Sequence, residues 1–460
     1  MEKGVAYSSR ASLVALGLKF QHLQLWSPIR DHVKIKQKVL KHTPLDKLLD
    51  CFINILAGGT GVVEVNTRVR PDQPVQRAFG RSTCAEQSTI SDTLNACTSE
   101  NAQQLRQAIQ IILREHGQSY RHDYATRWQL LDVDVTGMPA GRLGEGVTKG
   151  YFAQQKNRRG RQLGRVLATL YDEILVDRLY DGKRQLDHSL TELITLAENA
   201  LELTENQRKR TILRIDGGGG EDDNINWVLA RDYHLLVKVK NWRRAKKLCA
   251  SVTRWYAYPK VPRRELGWVE EPYAYVKPTR QLALRTLKKN GTWSEHVLVF
   301  TLTDALLFQL CDQVMPTAPS SADLLFAAMH AYDRRGGGVE TQNKGDKQGL
   351  GLSRRNKHSF AAQETLVLLA QLAHNLVIWT RDDLARVDQR FEKYGIQRTV
   401  RDVLQIAGRV QVNATGQVEQ ITLNENHPLA ATVQMAFVAS LATDDLSLNL
   451  GKILYWSIRF

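Results

Sequence analysis

Two aspartates stand at the ends of predicted strands, where carboxylates can hold metal ions. In WQLLDVDVTG, apolar residues alternate with Asp132 and Asp134, the pattern of a strand with one apolar face. In TILRID, a short apolar run ends at Asp216, which four glycines follow. Carboxylate oxygens are the ligands that hard divalent cations prefer, and two such cations can catalyse cleavage of a phosphodiester bond. These residues therefore indicate metal-dependent chemistry on phosphate esters.

The glycine run after Asp216 lacks the sequence of a nucleotide-binding loop. A P-loop continues with Lys and then Ser or Thr, whereas this chain continues with Glu221, Asp222 and Asp223, which would repel phosphate. The dinucleotide-binding fingerprint has spaced glycines that open a helix. We interpret residues 217–220 instead as a stretch without side chains that lets a substrate backbone and metal ions reach Asp216.

The elements that must position these aspartates follow a distinctive order. Sequence periodicity predicts seven of them: a strand at 128–137, strands around 149–153 and 166–176, a helix at 189–210, a strand at 211–216, a helix at 223–233 and a strand at 234–240. This order resembles a ribonuclease-H-like core, so we predict an α/β fold with a mixed sheet flanked by helices. In that fold one acid lies on the first strand and another just beyond the fourth, the places of Asp134 and Asp216.

The two acidic segments resemble motifs of DDE-type insertion-sequence transposases. LDVDVTG is similar to the first-acid motif, in which the second aspartate is catalytic, and LRIDGGGG is similar to the Arg-x-Asp-x-Gly second-acid motif. The resemblance implies that Asp134 and Asp216 are catalytic metal ligands. Asp132 has the alternative interpretation of a residue on the strand face, outside the ligand set.

A third motif resembles the Tyr-x2-Arg-x3-Glu-x6-Lys signature of the hairpin-forming cut-and-paste group. HAYDRRGGGVETQNKGDK supplies Tyr332, Arg335, Glu340 and Lys347, although the interval from Arg335 to Glu340 is one residue longer than in the signature. Either Arg334 takes the part of the arginine or a glycine bulge absorbs the extra residue. The resemblance implies that Glu340 is the third catalytic acid and metal ligand.

Glu364 is the rival third acid. It lies in FAAQETLVLLAQLAHNLVIW, whose apolar stripe is typical of a helix in the protein core. We therefore predict Glu340 as the ligand and Glu364 as part of the scaffold.

Positive charge is concentrated in one part of the 460-residue chain. The net charge is +15, and residues 241–290 hold 13 Lys and Arg against 3 Asp and Glu. Tryptophans and tyrosines lie among these charges, which favours a polyanion-binding surface over a solvated basic face. We predict that the DNA-binding residues are Lys156, Arg158, Arg159, Arg243, Arg244, Lys246, Lys247, Tyr332, Arg335, Lys344 and Lys347.

Length and composition predict several parts in an intracellular protein. The five scattered cysteines are typical of reduced thiols, and no segment has the composition of a membrane span or signal peptide. We predict five parts: a helical, DNA-binding domain at 1–120, the first part of the catalytic core at 121–240, a basic β-rich insertion at 241–320, the last part of the core at 321–384, and a mixed C-terminal appendage at 385–460.

The prediction for function is a DNA transposase that excises and inserts a mobile element. The resemblance implies two Mg²⁺ ions, with Mn²⁺ as a substitute, a homodimer on the inverted DNA ends of the element, and a cytoplasmic, nucleoid-associated location. Two alternatives stay open: a catalytically silent DNA-binding protein derived from a transposase, and a ribonuclease-H-like nuclease that only hydrolyses.

Overall fold

The computed structural model describes residues 4–150, 152, 155, 157–443 and 455–457. They form two compact units: unit 1 comprises Met1–Gly117, Pro139–Val147 and Gln342–Phe460, and unit 2 comprises Gln118–Met138 and Thr148–Thr341. None of the described helices combines the length and apolar character needed to cross a membrane. All five cysteines are buried free thiols. The five-part division made from the sequence stays a prediction.

The N-terminal part of unit 1 is mainly helical, as the sequence predicts. Thr43 begins the third helix with a capping box, since its hydroxyl accepts from the backbone N–H of Asp46 and its own N–H donates to the Asp46 carboxylate. Residues 87–116 form two helices instead of one, because Thr98 is extended and caps the second. The elements are β1 (Gly4–Ser8), α1 (Ala11–His22), α2 (Ser27–His32), α3 (Pro44–Leu56), α4 (Val65–Arg68), α5 (Gln73–Ala78), α6 (Gln87–Ala96) and α7 (Ser99–His116).

Unit 2 holds a ten-stranded sheet and the helices that cover it. Its strands are β2 (Gln129–Pro139), β3 (Thr148–Lys149), β4 (Arg159–Ala168), β5 (Glu173–Asp181), β6 (Thr211–Ile215), β7 (His234–Lys238), β8 (Tyr256–Ala257), β9 (Arg264–Trp268), β10 (Arg280–Leu287) and β11 (Trp293–Phe300). Its helices are α8 (Leu186–Leu201), α9 (Glu205–Arg208), α10 (Asp222–Ala230), α11 (Trp242–Ala250), α12 (Asp304–Leu310) and α13 (Ser321–Asp333).

The sheet confirms the predicted fold class. Five of its strands lie in the order β5-β4-β2-β6-β7, in which β2, β6 and β7 are parallel and β4 and β5 are antiparallel to each other, and the short β3 also pairs with β4. The connection that contains α8 places β6 beside β2, and the connection that contains α10 places β7 beside β6, which is the topology of a ribonuclease-H-like core. β6 and the first five residues of β2 are buried, as expected where central strands are covered on both faces.

The predicted positions of the second and third strands were wrong. The hairpin is formed by Arg159–Ala168 and Glu173–Asp181, whose strands begin ten and seven residues later than expected. Arg165 carries part of the reason: it is buried in an ion pair with Asp177 across this hairpin, with an Nη2–Oδ2 distance of 2.7 Å. A hydropathy pattern does not reveal a strand that carries a charged side chain buried and neutralised in the core.

The basic segment after β7 extends the same sheet instead of forming a separate one. β11 pairs antiparallel with β7, and β10, β9 and β8 follow in order. Within this segment, which was predicted to be rich in strands, β10 and β11 occupy RQLALRTL and WSEHVLVF, whereas EPYAYVK is not a strand. One apolar cluster joins β10 and β11 to α12 and α13, which fixes the start of the segment that carries Tyr332.

The C-terminal part of unit 1 pairs with its N-terminal strand. Residues 408–423 form a hairpin of two antiparallel strands, and β1 pairs with the first of them. The elements are α14 (Val339–Gly349), which begins at the end of unit 2, then α15 (Phe360–Val387), α16 (Ile396–Arg398), β12 (Gly408–Val412), β13 (Val418–Leu423), α17 (Ala430–Thr443) and β14 (Tyr455–Ser457).

Candidate active site

Strand register places Asp134 and Asp216 next to each other. β2 and β6 are parallel, with Val133 beside Ile215, so the next residue of each strand is one of the two aspartates. Asp216 directly follows β6, and a single 3₁₀ turn of glycines, Gly217–Gly219, comes after it. The Asp134 side chain is 16% exposed and that of Asp216 is 48% exposed. One acid is therefore largely enclosed by protein and the other is open to solvent.

The third predicted acid lies at the start of a helix. α13 ends at Asp333, a 3₁₀ turn covers Arg334–Gly337, and α14 begins at Val339. The glycines let the chain turn between the two helices, so Glu340 lies in the first turn of α14 with half of its side chain exposed. The extra residue in the signature interval is accommodated in this turn.

Arg335 brings the three acids together. Its guanidinium lies 2.6 Å from Glu340 Oε1, 3.6 Å from Asp216 Oδ1 and 3.7 Å from Asp134 Oδ1. Arg334 points elsewhere and pairs with Asp312 at 2.6 Å. Of the two arginines considered from the sequence, Arg335 is the one that contacts the acids.

The electrostatics of the site reflect burial and mutual repulsion. Burial raises the pKa of Asp134 from 3.8 to about 6; Arg335 opposes the shift, and Asp216 adds to it. Burial alone would lower the pKa of Arg335, but Asp134 and Asp216 outweigh it and raise that pKa. The Tyr332 hydroxyl donates to Asp216 Oδ1 at 3.4 Å, and burial raises the pKa of this tyrosine. The positive charge of Arg335 thus offsets only part of the acidic charge.

The donor set suits a hard cation, although the acids face Arg335 here. Among the described residues, no three His, Cys, Asp or Glu side chains are arranged as a closed metal site. However, Arg335 Nη1 is buried without a hydrogen bond, beside three carboxylates whose combined charge exceeds its own. Oxygen ligands with excess negative charge are what Mg²⁺ and Mn²⁺ require. The residues therefore fit divalent cations, provided that Arg335 moves.

The raised pKa of Asp134 predicts a pH-dependent metal affinity. Because the folded protein holds this proton more tightly than the unfolded chain, the contribution of Asp134 to stability is full below pH 3.8 and is lost as pH rises through about 6. A cation must displace the proton, so Mn²⁺ affinity should fall about tenfold for each pH unit below 6. Titrations of Mn²⁺ into the protein at pH 5 and pH 7, followed by electron paramagnetic resonance, measure this.

Asp134→Asn is the matched control for the pH experiment. It should bind Mn²⁺ weakly at both pH values, with no change in affinity between them. If the wild-type protein shows equal affinity at pH 5 and pH 7, Asp134 is not a ligand with a raised pKa.

A lysine that sequence reasoning missed lies beside the acids. β6 and β7 are parallel with Ile215 beside Val237, so Lys238 follows next to Asp216. Burial lowers the pKa of Lys238, and the nearby Asp216 opposes the shift. The alternating pattern of HLLVKVK indicated this lysine, because alternate residues of a strand lie on the same face of the sheet.

The predicted DNA-binding residues fall into distinct settings. Arg158, Arg159, Arg243, Lys246 and Lys247 are exposed in unit 2, the last three on α11. Lys344 and Lys347 follow Glu340 on α14 but belong to unit 1, and Lys156 lies outside the described residues.

Two basic residues beside the predicted hairpin are not surface residues. Arg161 is buried, as is Arg165 in its ion pair with Asp177. Arg244 on α11 is also engaged, because it pairs with Asp222 and lies 4.1 Å from the ring centre of Tyr273.

Glu364 has the setting of a core residue. It lies in α15 within unit 1, with a side chain only 4% exposed, and pairs with Arg106 at 2.6 Å. This contact accounts for a buried carboxylate without any catalytic role.

Known proteins provide an independent comparison. The sequence matches the family described as Transposase DDE domain group 1 over residues 1–443. No curated protein matches it. Among solved structures, the chain is similar to piggyBac transposase in a cryo-EM structure of its synaptic complex with hairpin DNA, with 12% sequence identity and a TM-score of 0.45. The alignment covers 99% of this chain and 88% of that one.

Proposed function

Because the chain belongs to the transposase DDE domain group 1 family, we propose that Asp134, Asp216 and Glu340 are the catalytic acids of this DNA transposase. A DDE transposase cleaves DNA and joins the cut strand to a target. The observation that carries the assignment is the convergence of all three carboxylates on one guanidinium, each within 3.7 Å of an Arg335 nitrogen. Each acid comes from a different element, so their meeting is a property of the fold.

Enzymes of this family use divalent metal ions, and we propose two Mg²⁺ ions held by the three acids. Bound there, the cations would activate the attacking oxygen and stabilise the leaving one. Arg335 would exchange its contacts with the acids for contacts with DNA phosphate, which its planar guanidinium binds in two-pronged fashion. The Tyr332 hydroxyl would hold the orientation of Asp216. Arg335 and Tyr332 were both predicted to bind DNA. Their contacts with the acids in this structure are compatible with a role in DNA binding.

The DNA partner is proposed to be the inverted ends of a mobile element and the target duplex. Two ends must be joined to one target, so we propose that the protein acts as a homodimer on DNA. Because its DNA substrates would be part of the nucleoid, we propose that the protein is cytoplasmic and nucleoid-associated.

A cleavage and strand-transfer assay tests this function against both alternatives. A labelled duplex from the boundary of the element, incubated with protein and Mg²⁺, should give nicked ends and then products joined to a target plasmid. Hydrolysed ends without joined products would indicate a nuclease. Binding without any cleavage would indicate a silent DNA-binding protein.

The exposed basic residues of α11 should contribute phosphate contacts. Replacing Arg243, Lys246 and Lys247 with alanine should weaken DNA binding and flatten its salt dependence, by about 0.9 in the slope of log K against log salt for each lost contact. Fluorescence anisotropy at several salt concentrations measures the slope.

Arg244→Ala is the matched control on the same helix. Since Arg244 pairs with Asp222 and stacks on Tyr273, its loss should lower the melting temperature more than it changes the slope. An unchanged slope in the triple variant would remove α11 from the DNA interface.

A further inference from the structure

A buried ion pair lies directly behind the acids. Arg214 Nε and Nη2 donate to the two carboxylate oxygens of Asp132 at 2.6 and 2.8 Å. The Asp132 side chain is fully buried and that of Arg214 is 4% exposed. Asp132 lies beside Arg214 in the register of β2 and β6, two residues before Asp134 and Asp216 respectively. The pair therefore fixes the distance between β2 and β6 two residues before the acids.

The same pair also binds the two helices that complete the site. Arg214 Nη1 donates to the carbonyl of Ala331, the residue before Tyr332. The backbone N–H of Val339, the residue before Glu340, donates to Asp132 Oδ2 at 3.4 Å. Two side chains thus contact both strands, the end of α13 and the start of α14.

Gly338 makes room for this contact. A side-chain carbon on Gly338 would lie 2.3 Å from Asp132 Oδ2 and 3.3 Å from Arg214 Nη2. Only a residue without a side chain allows the backbone before Glu340 to approach the pair so closely. The glycine turn that lengthens the signature interval is therefore shaped to the pair.

Stability alone does not explain an ion pair at this position. Desolvating two charges is costly, and well-packed apolar residues of similar volume often stabilise a fold as well or better. Arg214 and Gly338 also border a cavity of about 720 Å³, so close packing does not hold this side of the pair. What the pair supplies is fixed geometry, through directed bonds to four elements.

We propose that Asp132 and Arg214 are positioning residues that hold the three acids at the spacing required for divalent metal binding. This inference rests on the proposed function, because it takes Asp134, Asp216 and Glu340 as the ligands. The pair acts through these acids and contacts neither metal nor DNA.

The test is the double variant Asp132→Leu with Arg214→Met, which replaces the pair by apolar side chains. It should fold and bind DNA, but its Mn²⁺ affinity should fall about 10- to 100-fold, as with other outer partners of metal ligands. Cleavage should fall at low Mn²⁺ and recover in part at high Mn²⁺. Mn²⁺ titration by electron paramagnetic resonance measures affinity directly, and melting temperature reports the fold.

The matched control is a buried pair of unit 1, Arg81 with Asp50. It also has two-pronged geometry, at 2.9 and 3.4 Å, but belongs to unit 1, whereas the three acids belong to unit 2. The variant Asp50→Leu with Arg81→Met should change stability while leaving Mn²⁺ affinity at the wild-type value. Equal Mn²⁺ affinity in both double variants and the wild-type protein would overturn the proposal.

Two further variants keep the result decisive. If the Asp132/Arg214 double variant does not fold, the variant Arg214→Lys replaces it in the test, because lysine keeps the charge but cannot form the two-pronged bond. Weaker Mn²⁺ binding by Arg214→Lys supports the proposal, and wild-type Mn²⁺ binding overturns it. Asp134→Asn, assayed alongside, separates the two ideas. If that variant still cleaves, the proposed function fails; if it is inactive while the pair variants bind Mn²⁺ normally, only the positioning role fails.

Discussion

Asp134→Asn and Asp216→Asn should each reduce DNA cleavage by more than about 100-fold, since loss of even an outer partner of a metal ligand costs about 10- to 100-fold. Asparagine keeps the shape of the side chain but removes the charge that a hard cation needs. DNA binding should stay near the wild-type value, because the exposed basic residues are unchanged. Cleavage of a labelled element end in Mg²⁺ and a gel-shift titration measure the two properties.

Asp31→Asn provides a control at an exposed position of α2, in unit 1, whereas the three acids lie in unit 2. It should cleave at the wild-type rate. An Asp134→Asn or Asp216→Asn variant that cleaves like the wild-type protein would contradict the assignment of that residue.

Glu340→Gln should be as inactive as the aspartate variants, whereas Glu364→Gln should retain most of its cleavage activity. Glu340 is half-exposed and joins the other acids at Arg335, while Glu364 is buried beside Arg106 in unit 1. The cost of Glu364→Gln should appear as a lower melting temperature, because Arg106 loses the charge of a buried partner. Cleavage rates and thermal melts of the two variants form a matched comparison.

The reverse result would move the third acid onto α15. Active Glu340→Gln together with inactive, well-folded Glu364→Gln would show that the Tyr-Arg-Glu-Lys signature was misassigned in this chain.

Local sequence was sufficient to place the first two acids. Alternation marked the strand that holds Asp134, and the glycines after Asp216 marked an abrupt strand end. Because both strands were found and the fold class was confirmed, their register follows from the topology. Family membership then supports the function that the motifs predicted.

Long-range contacts were not predictable in the same way. Asp132 looked like a second acid on the strand face, and only the register of β2 against β6 shows that Arg214 neutralises it. The same problem misplaced the hairpin, because Arg165 is charged in the sequence but is buried opposite Asp177 in the structure. A buried charge and a solvated charge look identical until the partner strand is known.

The choice between Arg334 and Arg335 needed the turn geometry. Sequence spacing left both open, since one extra residue separates Arg335 from Glu340. The 3₁₀ turn directs Arg335 inward to the acids and Arg334 outward to Asp312. Three consecutive glycines weaken any estimate of helix phase from sequence, because they permit conformations that other residues do not.

The most direct test of the central claim, that these three acids form one metal site, is anomalous X-ray diffraction from crystals of the protein with Mn²⁺ and a cleaved DNA end. We expect two manganese peaks, about 3.5–4 Å apart, bounded by Asp134, Asp216 and Glu340, with Arg335 displaced from the acids. Manganese peaks that lie elsewhere, or a bound DNA end with Arg335 still between the three carboxylates and no metal, would contradict the account.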